Sequence, residues 1–160
     1  MESLRDFALR PLRHYADFRG RSQRTELIAF FALIMAIGAF HSLVPAVASL
    51  RAVFWISVAL HLALGCPAAA LMVRRLHDTG RTGWWALLAL PVPAGGLWYD
   101  YSILKGRPFP VPDSADPLRL AAALLSLALL VLLLWADDPE ANRYGSNPRH
   151  DEATDDDQSA

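Results

Sequence analysis

Residues 27–50 read LIAFFALIMAIGAFHSLVPAVASL, residue 51 is Arg, and residues 52–73 read AVFWISVALHLALGCPAAALMV. Neither run contains Asp, Glu, Lys or Arg. The apolar residues form continuous blocks, without the 3.6-residue or alternating spacing of a half-buried element. At 1.5 Å per residue the first run makes a helix of roughly 36 Å, enough to cross a ~30 Å hydrocarbon layer with tilt. The lone Arg51 predicts a tight antiparallel hairpin. Ala46-Val47-Ala48 resembles a signal-peptidase site. The apolar stretch ahead of it is far longer than the ~7–15 residues of a signal core, so the run reads as a retained helix. His41 and His61 each lie ten residues from Arg51, which puts them at one depth near the middle of the two runs. Such a pair is a weak candidate for a metal or haem site. An interhelical or backbone hydrogen bond is the simpler expectation.

Two further apolar blocks follow. Residues 84–104 are interrupted by Pro91, Pro93, Gly95 and Gly96, so this segment should be kinked or re-entrant. Residues 105–117 read KGRPFPVPDSADP, a proline-rich extended loop. Residues 118–136 are rich in Leu; the second half, poor in small residues, should face lipid, and Arg119 can snorkel at the edge. Ahead of the first block, Leu4, Phe7, Ala8, Leu12 and Tyr15 recur at helical spacing among Arg5, Arg10 and Arg13. That pattern suits a short interfacial helix, broken or restarted at Pro11. The expected architecture is all-α and polytopic, with four transmembrane helices, or three if the broken block does not cross. The organisation is a basic segment 1–26, a transmembrane domain 27–149 and an acidic, disordered tail 150–160. The single cysteine, Cys66, allows no internal disulfide.

Charge gives the orientation. Residues 1–26 hold six Arg against four acids, and residues 137–160 hold eight acids against two Arg. With four crossings and a cytoplasmic N-terminus, eleven of the fifteen Lys and Arg fall inside. Basic residues concentrate on the cytoplasmic side of membrane proteins, so both termini are expected there. Trp84 and Trp85 then mark the inner interface, and Trp98, Tyr99 and Tyr101 the outer one.

Polar chemistry gathers where the blocks begin and end. Residues 17–26 read DFRGRSQRTE, residues 74–85 read RRLHDTGRTGWW, and residues 142–148 read NRYGSNP. Together these resemble the bacterial membrane family catalogued as domain of unknown function 805. Its members carry an aromatic–x–Gly-Arg–x–x–Arg motif before the first helix, Arg-Arg-Leu-His-Asp followed by Gly-Trp-Trp, and a late Asn-Arg-Tyr-Gly–x–x–Pro. The resemblance covers about residues 15–149 and implies an inner-membrane location and an all-helical fold. It supplies no activity, substrate or catalytic residue. Typical members run from the third helix almost directly into the last motif, whereas here a loop and an extra apolar block intervene. In a hairpin, Arg21 and Arg24 lie beside Arg74 and Arg75. A fourth crossing returns Asn142 and Arg143 to the same face, around Trp84 and Trp85.

Three readings fit this cluster. In the first, Arg21, Arg24, Arg74, Arg75 and Arg81 pair with Asp17, Glu26 and Asp78 and cap the end of the second helix, a purely structural anchor. In the second, surplus guanidinium groups bind an anion, with anionic lipid head groups the obvious ligand at that depth. In the third, His77 and Asp78 act as acid and base. Neighbours along a helix do not face each other, and no nucleophile, zinc or phosphate-loop motif is present in the sequence. The expectation is therefore a non-catalytic scaffold, or a module binding lipid or a membrane-protein partner. A homo-oligomer is allowed, and no cofactor or nucleic acid is implied. The alternative is an oligomeric small-solute transporter or channel component, prompted by the broken third block.

Overall fold

The computed structural model describes residues 4–43, 49–107, 117–136 and 139–145. Helix α1 is Leu4–Arg13, α2 Arg24–His41, α3 Leu50–Asp78, α4 Pro91–Leu104 and α5 Pro117–Leu134, with a 3₁₀ segment Gly83–Ala89 ahead of α4. Among the described residues there is no strand, only an isolated bridge between Asn142 and Gly145. The proline-rich stretch 108–116, Ser146 to Pro148 and the acidic tail lie outside the described residues, as does the side chain of Arg119.

Helices α2 and α3 form the antiparallel hairpin the two uncharged runs require. Arg74 donates to Glu26 at one end (3.2 Å), and Ser57 Oγ bonds His41 Nε2 toward the other (3.0 Å). The turn is not at Arg51, however. Helix α2 ends at His41, four residues before Pro45, whose ring disfavours α geometry in the residue preceding it. Helix α3 starts at Leu50, with Ser49 Oγ capping Ala52 N at 3.3 Å. Arg51 is thus inside α3 and His41 closes α2, meeting Ser57 one helical turn nearer the start of α3 than His61. Both are satisfied by one residue, His61 Nδ1–H donating to Ser57 O at 2.8 Å. Among the described residues no group of three or more metal-ligand side chains forms.

At 29 residues, α3 runs past its apolar stretch and carries Arg74–Asp78 as a further helical turn. Gly80 ends it at φ 72°, a left-handed conformation that costs glycine little. Arg81 N bonds Leu76 O (2.9 Å) and Gly80 N bonds His77 O (3.0 Å), the paired contacts of a Schellman stop.

The third apolar block is two pieces, not one helix. The 3₁₀ segment gives way at Leu90 to α4, with Pro91 in its first turn, where its missing N–H costs nothing. Three contacts give its course. A Cβ on Gly83 would meet Val73 Cγ1 at 2.6 Å, one on Gly96 would meet His61 Nε2 at 3.4 Å, and the Phe54 and Tyr101 rings are 6.2 Å apart. The block therefore runs antiparallel to α3 from Val73 to Phe54, roughly 29 Å at helical rise. Gly83→Ala should cost about 1–2 kcal/mol, because its methyl must displace Val73. Val73→Ala in the same chain should recover part of that loss, and thermal unfolding of the single and double variants in detergent measures the coupling.

The hydrophobic core is gathered at one end of the bundle. Leu27 and Phe30 of α2, Leu71, Met72 and Leu76 of α3, and Leu129 and Leu133 of α5 bury one another there. Elsewhere Met35, Phe40, Trp55, Leu62, Val92, Leu120, Leu124 and Leu127 are exposed. That much bare apolar surface suits helices solvated by lipid, where burial supplies no drive for helices to associate. Two helices, α2 and α3, are long and apolar enough to cross a membrane, and Leu120–Leu134 is a shorter apolar helix.

Helix α1 continues through Pro11, which is buried, and packs against α2 and α3. Tyr15 OH donates to Leu62 O at 3.2 Å. Leu62 lies about 18 Å along α3 from Arg74, so the chain after α1 rests on the flank of the hairpin. Phe7 carries the Arg10 guanidinium over its ring at 5.8 Å, which shields one charge of that amphipathic face.

Candidate functional site

At the core-bearing end the three polar motifs meet. Asp78, in the last turn of α3, has side-chain exposure of 3% and receives two arginines. Arg21 donates from Nε to Oδ1 at 2.7 Å. Arg75, one turn earlier on the same helix, donates from Nη1 to Oδ2. The i,i+3 spacing puts Arg75 and Asp78 on one helix face, and the loop before α2 brings Arg21 from the side.

Other donors of both arginines go to backbone carbonyls, most of them in the segment 139–145 and at the end of α5. Arg21 Nη1 bonds Glu140 O at 2.7 Å and touches Gly145 O at 3.5 Å. Arg75 Nε donates to Leu133 O at 2.7 Å, and Nη2 to Trp135 O at 2.5 Å. These carbonyls are among those a helix C-terminus leaves without intrahelical partners, and a cation there also suits the helix dipole. The capping expected at the end of α3 is present, with Arg21 Nη2 reaching Asp78 O at 3.5 Å, and Arg75 extends it to α5.

A second layer surrounds this clamp. Arg74 pairs with Glu26, also buried. His77 Nδ1–H donates to Gly20 O at 3.3 Å, and its ring lies flat on Tyr144, 3.8 Å away with 5° between planes. His77 follows the apolar run 52–73. Burial lowers it from the usual histidine range; the bond to Gly20 O opposes that shift, and nearby Arg143 adds to it. Asn142 Nδ2 bonds His77 O at 3.0 Å, while its Oδ1 receives Tyr144 N at 2.9 Å. Reciprocal bonds between Asn142 and Gly145 close this segment into a tight turn, with Gly145 at φ 132°.

Of the residues singled out in the sequence, Arg21, Arg75, His77, Asp78 and Asn142 gather into one hydrogen-bonded unit, with the Arg74–Glu26 pair beside it. Arg24 opens α2 beside it, partly buried. Arg81 lies over the Trp135 ring at 5.8 Å and Arg143 over Tyr144 at 4.7 Å. Trp84 and Trp85 are exposed on the 3₁₀ segment, outside the clamp. Asp17 takes no part; it receives the N–H of Arg19 at 3.0 Å. Unforeseen partners are the carbonyls of Leu133, Trp135, Glu140 and Gly20, and the rings of Trp135 and Tyr144. A backbone carbonyl leaves no mark in sequence. Trp135 did, as the single aromatic of its apolar block.

These features define a class: an α-helical membrane protein whose helices are locked together at one end by buried arginines. The chain belongs to the family described as protein of unknown function (DUF805), which it matches over residues 15–146. It is similar to the inner membrane protein YhaI of Escherichia coli (strain K12), at 38% identity over 138 residues, covering 86% of this chain and 91% of that protein. The inner membrane protein YhaH of the same organism is 33% identical over 94 residues, covering 53% and 73% of the two chains. No solved structure matches the chain.

Proposed function

We propose that the chain is a non-catalytic module of the inner membrane, crossing it four times with both ends cytoplasmic and presenting a rigid polar platform at that face. The observation that carries this is the sharing of buried Asp78 between Arg21 and Arg75. An acid–base enzyme exposes its titrating groups to substrate. Here Asp78 is committed to two guanidinium groups, and His77 is covered by Tyr144 and bonded to Gly20. Scaffolding suits such an arrangement better than turnover.

Four crossings are supported by the distance over which the third block follows α3 and by the return of residues 139–145 to the start of α2. The names of the relatives support the inner membrane, and the distribution of basic residues supports the orientation. Reporter fusions at Pro110 and His150 test it. Opposite sides are expected, with residue 150 cytoplasmic; residue 150 on the outer side would overturn the reading. The break at Leu90 and Pro91 favours a second reading, an oligomeric transporter or channel component, because interrupted helices line binding sites in transporters. Cross-linking in membranes that yields only monomer rules that out.

A further inference from the structure

The arginines at the basic end fall into two sets. Arg21, Arg74 and Arg75 are buried and donate to Asp78, Glu26 and backbone carbonyls. Arg81 and Arg143 are more accessible, and among the described residues neither has a carboxylate partner. Each instead lays its guanidinium over an aromatic ring, Arg81 on Trp135 and Arg143 on Tyr144. Arg143 also reaches Gly80 O at 3.4 Å, and Gly80 is the residue before Arg81. The two side chains therefore stem from one corner of the molecule.

A guanidinium stacked on a ring has its face covered and its edge N–H groups still available. Two such cations at one corner repel each other until an anion lies between them. The surroundings indicate which anion. Trp84 is 78% exposed, Trp85 48% and Trp135 54%, all within a few residues of Arg81 or stacked on it. Exposed indole rings beside cations belong where hydrocarbon meets head groups.

We infer that Arg81 and Arg143 form a receptor for the phosphodiester of an anionic phospholipid, with Trp84, Trp85 and Trp135 against its glycerol and upper acyl region. The inference rests on the proposed reading that this end faces the cytoplasmic leaflet. It moves lipid recognition from the buried arginines, which are closed off from solvent and turned toward Asp78, Glu26 and backbone carbonyls, to the rim. A lipid and not free phosphate is assigned because the bare tryptophans need an apolar phase beside the charge.

The test uses the full chain in nanodiscs holding equal amounts of phosphatidylcholine and phosphatidylglycerol, with retained lipid counted by native mass spectrometry. Wild type should retain phosphatidylglycerol preferentially. Arg81→Gln and Arg143→Gln should each reduce that preference about fivefold, the value of one basic side chain at an anionic surface. Arg51→Gln, at the other end of the hairpin, should leave it unchanged. Equal preference in wild type and the double Gln variant overturns the site. Complete displacement of the lipid by inorganic phosphate assigns the corner to the free anion and overturns the lipid. Asp137 and Asp138 follow Trp135 by two and three residues. If wild type shows no preference and the Asp137→Asn, Asp138→Asn variant gains one, those acids are the arginines' partners and the lipid assignment falls. Fusion topology is read separately, so lost preference with residue 150 cytoplasmic removes the lipid site and leaves the scaffold reading standing.

Discussion

Asp78→Ala is expected to destabilise the protein by about 3–5 kcal/mol, the cost of removing one partner from a buried ion pair. The reason is what it leaves behind. The Arg21 side chain is 1% exposed and the Arg75 side chain 0%, so neither guanidinium can turn to water when the carboxylate goes. Both charges would remain buried, with the carboxylate they share gone and the carbonyls of Glu140 and Leu133 among the acceptors left. Asp78→Asn keeps the volume and one acceptor oxygen but loses the charge, so it should fall between Ala and wild type. Replacing Arg21, Arg75 and Asp78 together with Leu or Met should cost less than Asp78→Ala alone, because no unpaired charge is then left inside. Denaturant unfolding in detergent micelles, followed by far-UV circular dichroism, gives the comparison. A loss below about 1 kcal/mol for Asp78→Ala would show that the arginines have other adequate acceptors. The carboxylate would then not be what holds the motifs together.

Sequence reasoning reached this clamp because charges beside uncharged runs are few and their positions are constrained. Once residues 27–50 and 52–73 form a hairpin, Arg21 must lie near the end of α3, and Asp78 is the acid that can meet it there. The same logic returned Asn142 to this face, but around Trp84 and Trp85, whereas its partner is His77 O. It failed where the outcome depends on backbone geometry within an apolar run. Nothing in the composition of residues 27–50 distinguishes a helix that ends at His41 from one that continues to Leu50; Pro45 is the only local signal, and a proline in a membrane helix can also be a kink. The change from 3₁₀ to α at Leu90 was legible as a break but not as a change of helix type, since Pro91, Pro93, Gly95 and Gly96 fit several bent geometries. The flank position of α1 was not legible at all. Its spacing shows an apolar face but not which surface covers it, and Tyr15 finds Leu62 through a carbonyl.

The second large effect concerns shape at constant charge. Arg75 spends its fork on three acceptors from two helices: Leu133 O and Trp135 O at the end of α5, and Asp78 on α3. Arg75→Lys preserves the charge beside Asp78, so the electrostatic part of the clamp survives. A lysine ammonium is a single tetrahedral centre and cannot reproduce a planar fork that spans two helix ends. At least one α5 carbonyl should lose its partner. Hydrogen bonds from charged donors contribute about 1.5–3 kcal/mol each, so the substitution should cost roughly 2–4 kcal/mol. The cost should also be local. Amide hydrogen exchange should rise in residues 129–136 and 139–145, which depend on Arg75 and its neighbour Arg21, and stay near wild type in α2. Wild-type exchange at the end of α5 in Arg75→Lys would mean that Leu129 and Leu133 hold that helix by apolar packing alone. The arginine would then answer only to Asp78. The expected pattern makes Arg75 the residue through which the last helix is registered against the second motif. That explains why the position carries a guanidinium and why charge alone does not suffice there.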